Sequence, residues 1–255
     1  MIFYFSGTGN SYQAAAALLS PGEEAADMAK WVWEGRFACS LPPEEPVGFV
    51  CPVYYGGLPS VVREFIAGLS LETADRYCYG VLTCGGAPQA AAEMLQKDLA
   101  AVGISLDACF TVTMPDNYVV MFTLDSQAKI DRTLSAAARE LSRIKARVDA
   151  REKVPVKVSA AGRALTRVMF PLYDRARRTG KFTADDQCIG CGTCAGRCPA
   201  HAIVMRDGRP KWIKERCIHC MACVRCGAVQ YGASTVGKRR YTNPILKKGA
   251  GHAHH

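Results

Sequence analysis

Residues 188–199 read Cys-Ile-Gly-Cys-Gly-Thr-Cys-Ala-Gly-Arg-Cys-Pro, and a second run of four cysteines follows at residues 217–226. In the first run, two residues separate each of the first three cysteines, and the fourth cysteine precedes a proline. Three thiolates at this spacing wrap one iron–sulfur cube, because a tight turn directs successive sulfurs inward. The fourth cysteine of such a motif usually ligates the cube held by the other motif. The spacing therefore predicts two [4Fe–4S] clusters that exchange their fourth ligands.

The exchange defines two predicted ligand sets. Cluster one takes Cys188, Cys191, Cys194 and Cys226, and cluster two takes Cys217, Cys220, Cys223 and Cys198. The second motif has two residues rather than three before Cys226, and Gly227 stands where a proline is expected. Whether Cys226 completes cluster one stays open at this point, since the shorter segment changes the reach of its sulfur.

Zinc and disulfides are the alternatives for so many cysteines. Structural zinc usually uses two Cys-x2-Cys pairs set well apart, not three cysteines in successive steps. Disulfides are disfavoured because Met1 is followed at once by the apolar run Ile2–Phe5, with no basic segment or cleavage site of a signal peptide. We therefore expect reduced thiols and a cytoplasmic protein.

The stretch from Phe182 to Arg240 resembles the bacterial two-[4Fe–4S] ferredoxins, because its first motif matches theirs closely. Between the motifs, apolar runs at 202–205 and 210–213 flank Asp207-Gly208, a hairpin-turn signature. The resemblance implies a small α+β fold with a short hairpin between the paired cluster loops.

The composition is that of a soluble globular protein, with 49% hydrophobic and 22% charged residues. A chain of 255 residues exceeds what one typical core needs, so two domains are expected. No apolar run approaches the roughly 18 residues of a membrane-spanning helix. The expected divisions are a first domain at 1–150, a basic helical connector at 151–181, a cluster domain at 182–240 and a tail at 241–255.

Charge is divided unevenly between the two ends of the chain. Residues 1–150 carry a net charge of −6, and residues 151–255 carry +15. Each four-thiolate cluster carries about −2, so a basic shell around two clusters explains much of the excess, and nucleic-acid binding is not predicted. The basic connector either packs across both domains or docks an acidic redox partner.

The N-terminal run Ile2–Phe5 leads into a polar loop and then the alanine-rich run Ala14–Leu19. A strand, a glycine-bearing loop and a helix in this order form an anion site, since backbone N–H groups converge there. The loop lacks the lysine of a Walker motif, and a turn that only caps the helix is the alternative. The loop residues are Ser6, Gly7, Thr8, Gly9, Asn10 and Ser11.

This loop resembles the phosphate loop of the flavodoxins, [ST]-x-T-G-x-[ST], which implies binding of the ribityl phosphate of FMN. Three later loops follow predicted strands and correspond to flavin-contacting loops of that family. The resemblance implies ring stacking by one of the tyrosines, backbone amides at the flavin edge, and cover of the second flavin face by Tyr118. The residues concerned are Tyr54, Tyr55, Gly56 and Gly57, then Thr83, Cys84, Gly85 and Gly86, and finally Asn117 and Tyr118.

Five strands that alternate with helices predict an α/β fold with a doubly wound parallel sheet, whose weakest strand is expected near Arg36–Ala38. A flavodoxin-like order 2-1-3-4-5 places the ligand beyond the carboxyl ends of the strands. All the candidate flavin loops follow strand ends, as that rule requires.

The whole arrangement resembles the flavodoxin–ferredoxin fusions, a family of electron carriers of anaerobes. The resemblance implies an electron relay between FMN and two clusters and on to a redox partner. No acid–base or nucleophile constellation is visible. Two alternatives stay open: a flavoenzyme fed by the clusters, and an iron–sulfur sensor whose first domain lacks FMN.

Overall fold

The computed structural model describes residues 1–42, 44–71 and 76–248, so residues 249–255 of the predicted tail lie outside the described residues. The chain divides into two compact units that interleave along the sequence. The first, called the sheet unit here, comprises Met1–Ser6, Asn10–Pro115 and Gln127–Tyr173. The second, called the cysteine unit, comprises Gly7–Gly9, Asp116–Ser126 and the described residues from Asp174 onward.

The sheet unit is built on five parallel strands in one sheet. Across the sheet the order is β2 (Ala25–Asp27), β1 (Ile2–Tyr4), β4 (Val47–Pro52), β6 (Cys78–Cys84) and β7 (Ala108–Thr113). This order is 2-1-3-4-5 when only these five strands are counted. This is the flavodoxin-like doubly wound order, as predicted. The strands of the unit are β1 (Ile2–Tyr4), β2 (Ala25–Asp27), β3 (Ala38–Cys39), β4 (Val47–Pro52), β5 (Ser70–Leu71), β6 (Cys78–Cys84) and β7 (Ala108–Thr113).

The predicted position of the second strand was wrong. The sheet uses Ala25–Asp27, which pairs with β1, whereas Ala38–Cys39 pairs only with Ser70–Leu71 in a separate two-residue ladder. A strand of three half-buried residues is too short to show the alternation of apolar and polar residues by which a strand is recognised in a sequence. Asp27 ends this strand and caps the next helix, since its carboxylate accepts the Ala29 N–H at 2.8 Å.

Helices cover the sheet and bury its apolar side chains. Phe3 lies 5.8 Å from Phe49 and 5.0 Å from Phe65 between ring centroids, and all three are fully buried. Each such side chain contributes roughly 1.5–3 kcal/mol of transfer free energy. The helices are α1 (Asn10–Leu18), α2 (Met28–Glu34), α3 (Ser60–Gly68), α4 (Ala91–Ala100), α5 (Gln127–Asp149) and α6 (Ala160–Ala176).

Helix α6 runs without interruption through Pro171. Proline removes one backbone N–H from the helix, which leaves the carbonyl of Arg167 without its usual donor. Both Pro171 and Arg167 are exposed, so water can satisfy that carbonyl. The proline is tolerated because it lies on the solvent side.

The cysteine unit contains two short antiparallel ladders, β9 with β10 and β8 with β11. The predicted hairpin is confirmed: Asp207 and Gly208 both have positive φ (49° and 69°), as a type I′ turn requires. The elements are β8 (Phe182–Ala184), α7 (Thr193–Gly196), β9 (Ile203–Arg206), β10 (Arg209–Trp212), β11 (Val229–Tyr231), α8 (Ile245–Lys248) and three 3-10 turns, Thr179–Lys181, Cys223–Cys226 and Gly232–Thr235. Among the described residues, no helix combines the length and the apolar character needed to cross a membrane.

Candidate cluster sites and candidate flavin loops

The second cysteine motif and the last cysteine of the first motif line one cavity of the cysteine unit. The cavity holds about 310 Å³ of atom-free space, including its opening to solvent. Its four cysteines are Cys198, Cys217, Cys220 and Cys223, the predicted ligands of cluster two. Apolar side chains, among them Phe182 and Trp212, complete the wall. The fold thus brings a cysteine that follows α7 to the three that follow β10.

The charge state of these thiols depends on what neutralises them. Burial raises the pKa of Cys217 to about 11 and raises the pKa of Cys223 well above its usual value, and neighbouring cysteines add to both shifts. Four thiolates in one apolar cavity need a cationic partner, which the iron of a cluster supplies. Within the described residues, no group of three or more metal-ligating side chains is arranged for a single metal ion.

Backbone N–H groups also point at the sulfurs. His219 N–H donates to Cys217 Sγ at 3.2 Å, and Ala202 N–H donates to Cys198 Sγ at 3.4 Å. Iron–sulfur sites use such donors to stabilise the anionic sulfurs. The cavity, its four thiols and its donors therefore fit a [4Fe–4S] cluster.

Three cysteines of the other predicted set, Cys188, Cys194 and Cys226, lie near one another. Cys194 is buried, and burial together with the nearby Cys226 and Cys188 raises the pKa of its thiol. Cys191 is exposed, and its hydrogen bond with Thr193 at 3.3 Å lowers its pKa.

Cys226 reaches this group although its motif is one residue short. A 3-10 turn spans Cys223–Cys226, and Gly227 follows with φ 86°. This tight turn brings the Cys226 sulfur near Cys194 without the missing residue. Ligation by Cys226 stays a prediction.

The two cysteine loops share a backbone conformation but not the residues that favour it. Gly190 and Gly192 have φ of 70° and 74° in the first loop, and His219 and Met221 have φ of 58° and 61° at the corresponding positions of the second. Glycine adopts this left-handed conformation without strain, whereas residues with a Cβ rarely do.

His219 is a site residue that our sequence analysis missed. It is 4% exposed and packs among aromatic rings, with centroid distances of 5.0 Å to Tyr231, 5.5 Å to Tyr118 and 6.0 Å to Phe182. Its Nε2 lies 2.9 Å from the Tyr118 hydroxyl oxygen. Burial lowers the pKa of its imidazole to about 4. The available signal was a histidine at the position that Gly190 occupies in the first motif.

Two residues of the N-terminal loop, Asn10 and Ser11, form the start of a helix. Helix α1 begins at Asn10 and has no acidic residue in its first turn. Within the sheet unit, Ser11 Oγ lies 2.7 Å from Thr83 Oγ1, and the Asn10 side chain donates to the Pro115 carbonyl at 3.0 Å. Hydroxyls and helix N–H groups are a donor set that suits a phosphate.

The middle of this loop belongs to the cysteine unit and has other neighbours. The Asn117 amide donates to the Thr8 hydroxyl, and Asn243 N–H donates to the Thr8 carbonyl at 2.9 Å. Gly9 has φ 103°, and a Cβ placed on it would lie 2.7 Å from Asn243 Cβ and 2.9 Å from a Leu246 methyl. The segment 243–246 therefore lies directly against the predicted phosphate loop.

Helix α6 contacts the first of the loops that were predicted to hold the flavin ring, residues 54–57, and also the N-cap residue of helix α4. The Thr166 hydroxyl donates to the Gly56 carbonyl at 3.0 Å and accepts the Ala90 N–H at 3.1 Å. The Phe170 ring lies 2.4 Å from where a Cβ on Gly57 would stand. The glycines do allow a close approach, and the group that approaches them is this helix.

The remaining predicted flavin residues divide between the units. Tyr54 and Tyr55 lie 5.9 and 6.0 Å from Tyr173 between ring centroids, whereas the Tyr118 hydroxyl pairs with His219. The Cys84 thiol donates to the Gly86 carbonyl at 2.7 Å, and Gly85 and Gly86 are exposed. The hydroxyl and N–H donors of the N-terminal loop suit the phosphate of FMN. The loops that were predicted to hold the flavin ring can accept it only where α6 does not occupy the space beside them.

Comparison with known proteins identifies one part of the chain by sequence. Residues 187–229 match the 4Fe-4S dicluster domain family. A search among curated proteins gave no match to this chain.

Solved structures resemble the N-terminal part weakly. The Trp repressor binding protein from Bacillus subtilis is 14% identical, with a TM-score of 0.33 over 56% of this chain and 98% of that one. A flavoprotein in complex with FMN from Lactobacillus acidophilus NCFM is 11% identical, with a TM-score of 0.31 over 43% and 90%. A flavodoxin from Streptococcus pneumonia TIGR4 is 17% identical, with a TM-score of 0.30 over 56% and 97%. The fold assignment depends on the strand order, which is flavodoxin-like. The chain thus joins a flavodoxin-like sheet to a 4Fe-4S dicluster domain, a combination that indicates a redox protein.

Proposed function

We propose that this protein relays electrons between an FMN and two [4Fe–4S] clusters and passes them to a redox partner protein. The observation that carries the proposal is the cavity lined by four cysteines from both motifs. Each cluster on these thiols would pass one electron at a time, and its potential would depend on burial and on hydrogen bonds to its sulfurs. Cluster one would use Cys188, Cys191, Cys194 and Cys226.

The loops of the flavodoxin-like sheet would hold the flavin. Ser6, Thr8 and Ser11 would donate hydroxyls to its phosphate, together with the N–H groups at the start of α1. FMN, when bound, supplies chemistry in one-electron and two-electron steps. The chain's own part is to hold the phosphate by neutral donors and to tune each cofactor through burial and hydrogen bonds.

The proposal is tested by counting flavin, iron and acid-labile sulfide per chain in protein purified without oxygen. We expect about one FMN, eight iron and eight sulfide, because each cube contains four of each. About seven iron would show that Cys226, which is exposed, fails as a ligand and that cluster one keeps three irons. Full iron without flavin, even after FMN is added, would contradict the relay and leave the clusters as the only electron carriers.

Electron transfer by the clusters alone is the second candidate, and the position of helix α6 favours it. Thr166 bonds to Gly56 and Phe170 packs on Gly57, in one of the loops that the flavin ring would need. If α6 must withdraw before FMN binds, only the molecules in which it has withdrawn can take up FMN. The apparent affinity is then the intrinsic affinity multiplied by the fraction of those molecules. Electron transfer through FMN would then require that the contacts between α6 and the flavin loop can break.

Replacing Phe170 with alanine is expected to strengthen FMN binding roughly tenfold, because removing the ring that covers Gly57 raises the population with open loops. Flavin fluorescence titration measures the change. Val168→Ala is the matched control, since this side chain lies on the same helix and is 70% exposed. Equal FMN affinity in wild type, Phe170→Ala and Val168→Ala would show that α6 does not compete with the flavin.

A further inference from the structure

The second cysteine loop places a histidine where the first loop has a glycine. Both Gly190 and His219 adopt left-handed backbone conformations, with φ of 70° and 58°. A side chain in this region is strained and persists only where its surroundings hold it. The left-handed backbone of His219 therefore indicates that contacts of its side chain hold it in place.

The surroundings of His219 define one ring nitrogen and leave the other without a partner. Nε2 lies 2.9 Å from the Tyr118 hydroxyl oxygen. Nδ1 is buried and has no hydrogen-bond partner among the residues that the structure describes. The residue lines the same cavity as Cys217 and Cys220.

The polar groups around the ring decide which nitrogen donates a hydrogen bond. No protein acceptor meets Nδ1 in the described residues, whereas the sulfides of a bound cluster accept hydrogen bonds, so a protonated Nδ1 would find an acceptor on the cluster and a bare Nδ1 would not. With the proton on Nδ1, Nε2 is an acceptor, and the Tyr118 hydroxyl is its donor. One arrangement thus satisfies both nitrogens.

We propose that His219 donates its Nδ1–H to a sulfur of cluster two and that Tyr118 holds the imidazole in the required tautomer and orientation. The proposal rests on the proposed cluster at Cys198, Cys217, Cys220 and Cys223. Tyr118 is then a positioning residue that acts through His219. This role differs from the flavin contact that our sequence analysis predicted for Tyr118.

The expected consequence is a higher reduction potential for cluster two than it would have without this bond. A hydrogen bond to a cluster sulfur stabilises the reduced state more, since that state carries one more negative charge. Cluster one has Gly190 at the corresponding position, so its potential should not depend on this pair. The two clusters would then differ in potential within one small fold.

The test is a redox titration of the full chain followed by EPR, in wild type and three variants. Tyr118→Phe removes only the hydroxyl, and His219→Phe removes both ring nitrogens while it keeps a flat ring. Tyr231→Phe is the matched control, because its hydroxyl donates to the Ala176 carbonyl at 3.2 Å while its ring packs on the same histidine. Iron and sulfide are counted in every sample.

At a fixed solution potential, we expect Tyr118→Phe and His219→Phe each to lower the ratio of reduced to oxidised cluster two about tenfold. For one electron this corresponds to a reduction potential that is lower by about 59 mV. Cluster one and Tyr231→Phe should match wild type. Backbone N–H donors give exchangeable proton couplings to reduced cluster two in every sample. One further exchangeable coupling should be present in wild type and absent in His219→Phe.

An unchanged cluster-two potential in Tyr118→Phe with about eight iron would overturn the inference and leave the proposed function intact. A wild-type protein with about four iron or fewer would overturn the proposed function, and the inference with it. If His219→Phe loses the cluster through misfolding, Tyr118→Phe decides the question, since it keeps the ring and its packing.

Discussion

Replacing Cys198 with alanine is expected to remove the cluster of the second motif, although Cys198 belongs to the first motif in sequence. Cys198 lines one cavity with Cys217, Cys220 and Cys223, so its loss leaves that cluster with three ligands in a buried site. We expect iron per chain to fall from about eight to about four. Cys188→Ala should remove about the same amount of iron, but from the other cluster.

Double variants separate the two sites. Cys198→Ala combined with Cys217→Ala should lose no more iron than either change alone, whereas Cys198→Ala combined with Cys188→Ala should lose nearly all of it. Cys39→Ala is the control, because this thiol lies outside both motifs and should leave the iron content unchanged. If Cys198→Ala and Cys188→Ala abolish the same EPR signal, the exchange of fourth ligands is wrong.

Replacing Gly7 with alanine is expected to disturb cluster two from the opposite end of the chain. A Cβ on Gly7 would lie 2.2 Å from the Cys220 carbonyl oxygen and 2.9 Å from Cys220 Cβ, both within the cysteine unit. Because the obstacle is backbone, the cysteine loop itself must shift. Overpacking of this kind typically costs about 1–3 kcal/mol of stability. We expect lower iron content and a lower unfolding temperature.

Gly86→Ala is the matched control for Gly7→Ala. Gly86 also belongs to a predicted flavin loop, but a Cβ there would meet nothing within 4 Å, and its φ is not positive. Full iron content in Gly86→Ala with reduced iron in Gly7→Ala would support the contact. Wild-type iron and stability in Gly7→Ala would show that Cys220 does not lie against this loop.

The parts predicted well from sequence are those with short-range physical causes. The Asp207-Gly208 turn was readable because two left-handed residues between apolar runs leave few other conformations. The strands β4 and β6 were readable because buried parallel strands are continuously apolar. The strand Ala25–Asp27 was missed because three half-buried residues give no period.

The residues of the candidate sites were likewise predictable from sequence only where features close together in the chain identify them. The eight cysteines and the phosphate-loop hydroxyls follow from spacing and residue type, so sequence alone named them. Contacts between distant segments were invisible, since nothing in residues 54–57 indicates that Thr166 and Phe170 cover them. The same is true of Tyr118 and His219, which are 101 residues apart.

By itself, the sequence determined the strand-and-helix class, the two cysteine motifs and the chemistry that eight closely spaced thiolates favour. These features depend on spacing along the chain, on the period of apolar residues and on turn residues. Only the tertiary structure decided that segment 243–246 lies against Gly9, that α6 contacts the 54–57 loop and that His219 meets Tyr118. The physical reason is that such contacts depend on which surfaces are buried together after folding, and many different side chains bury equally well.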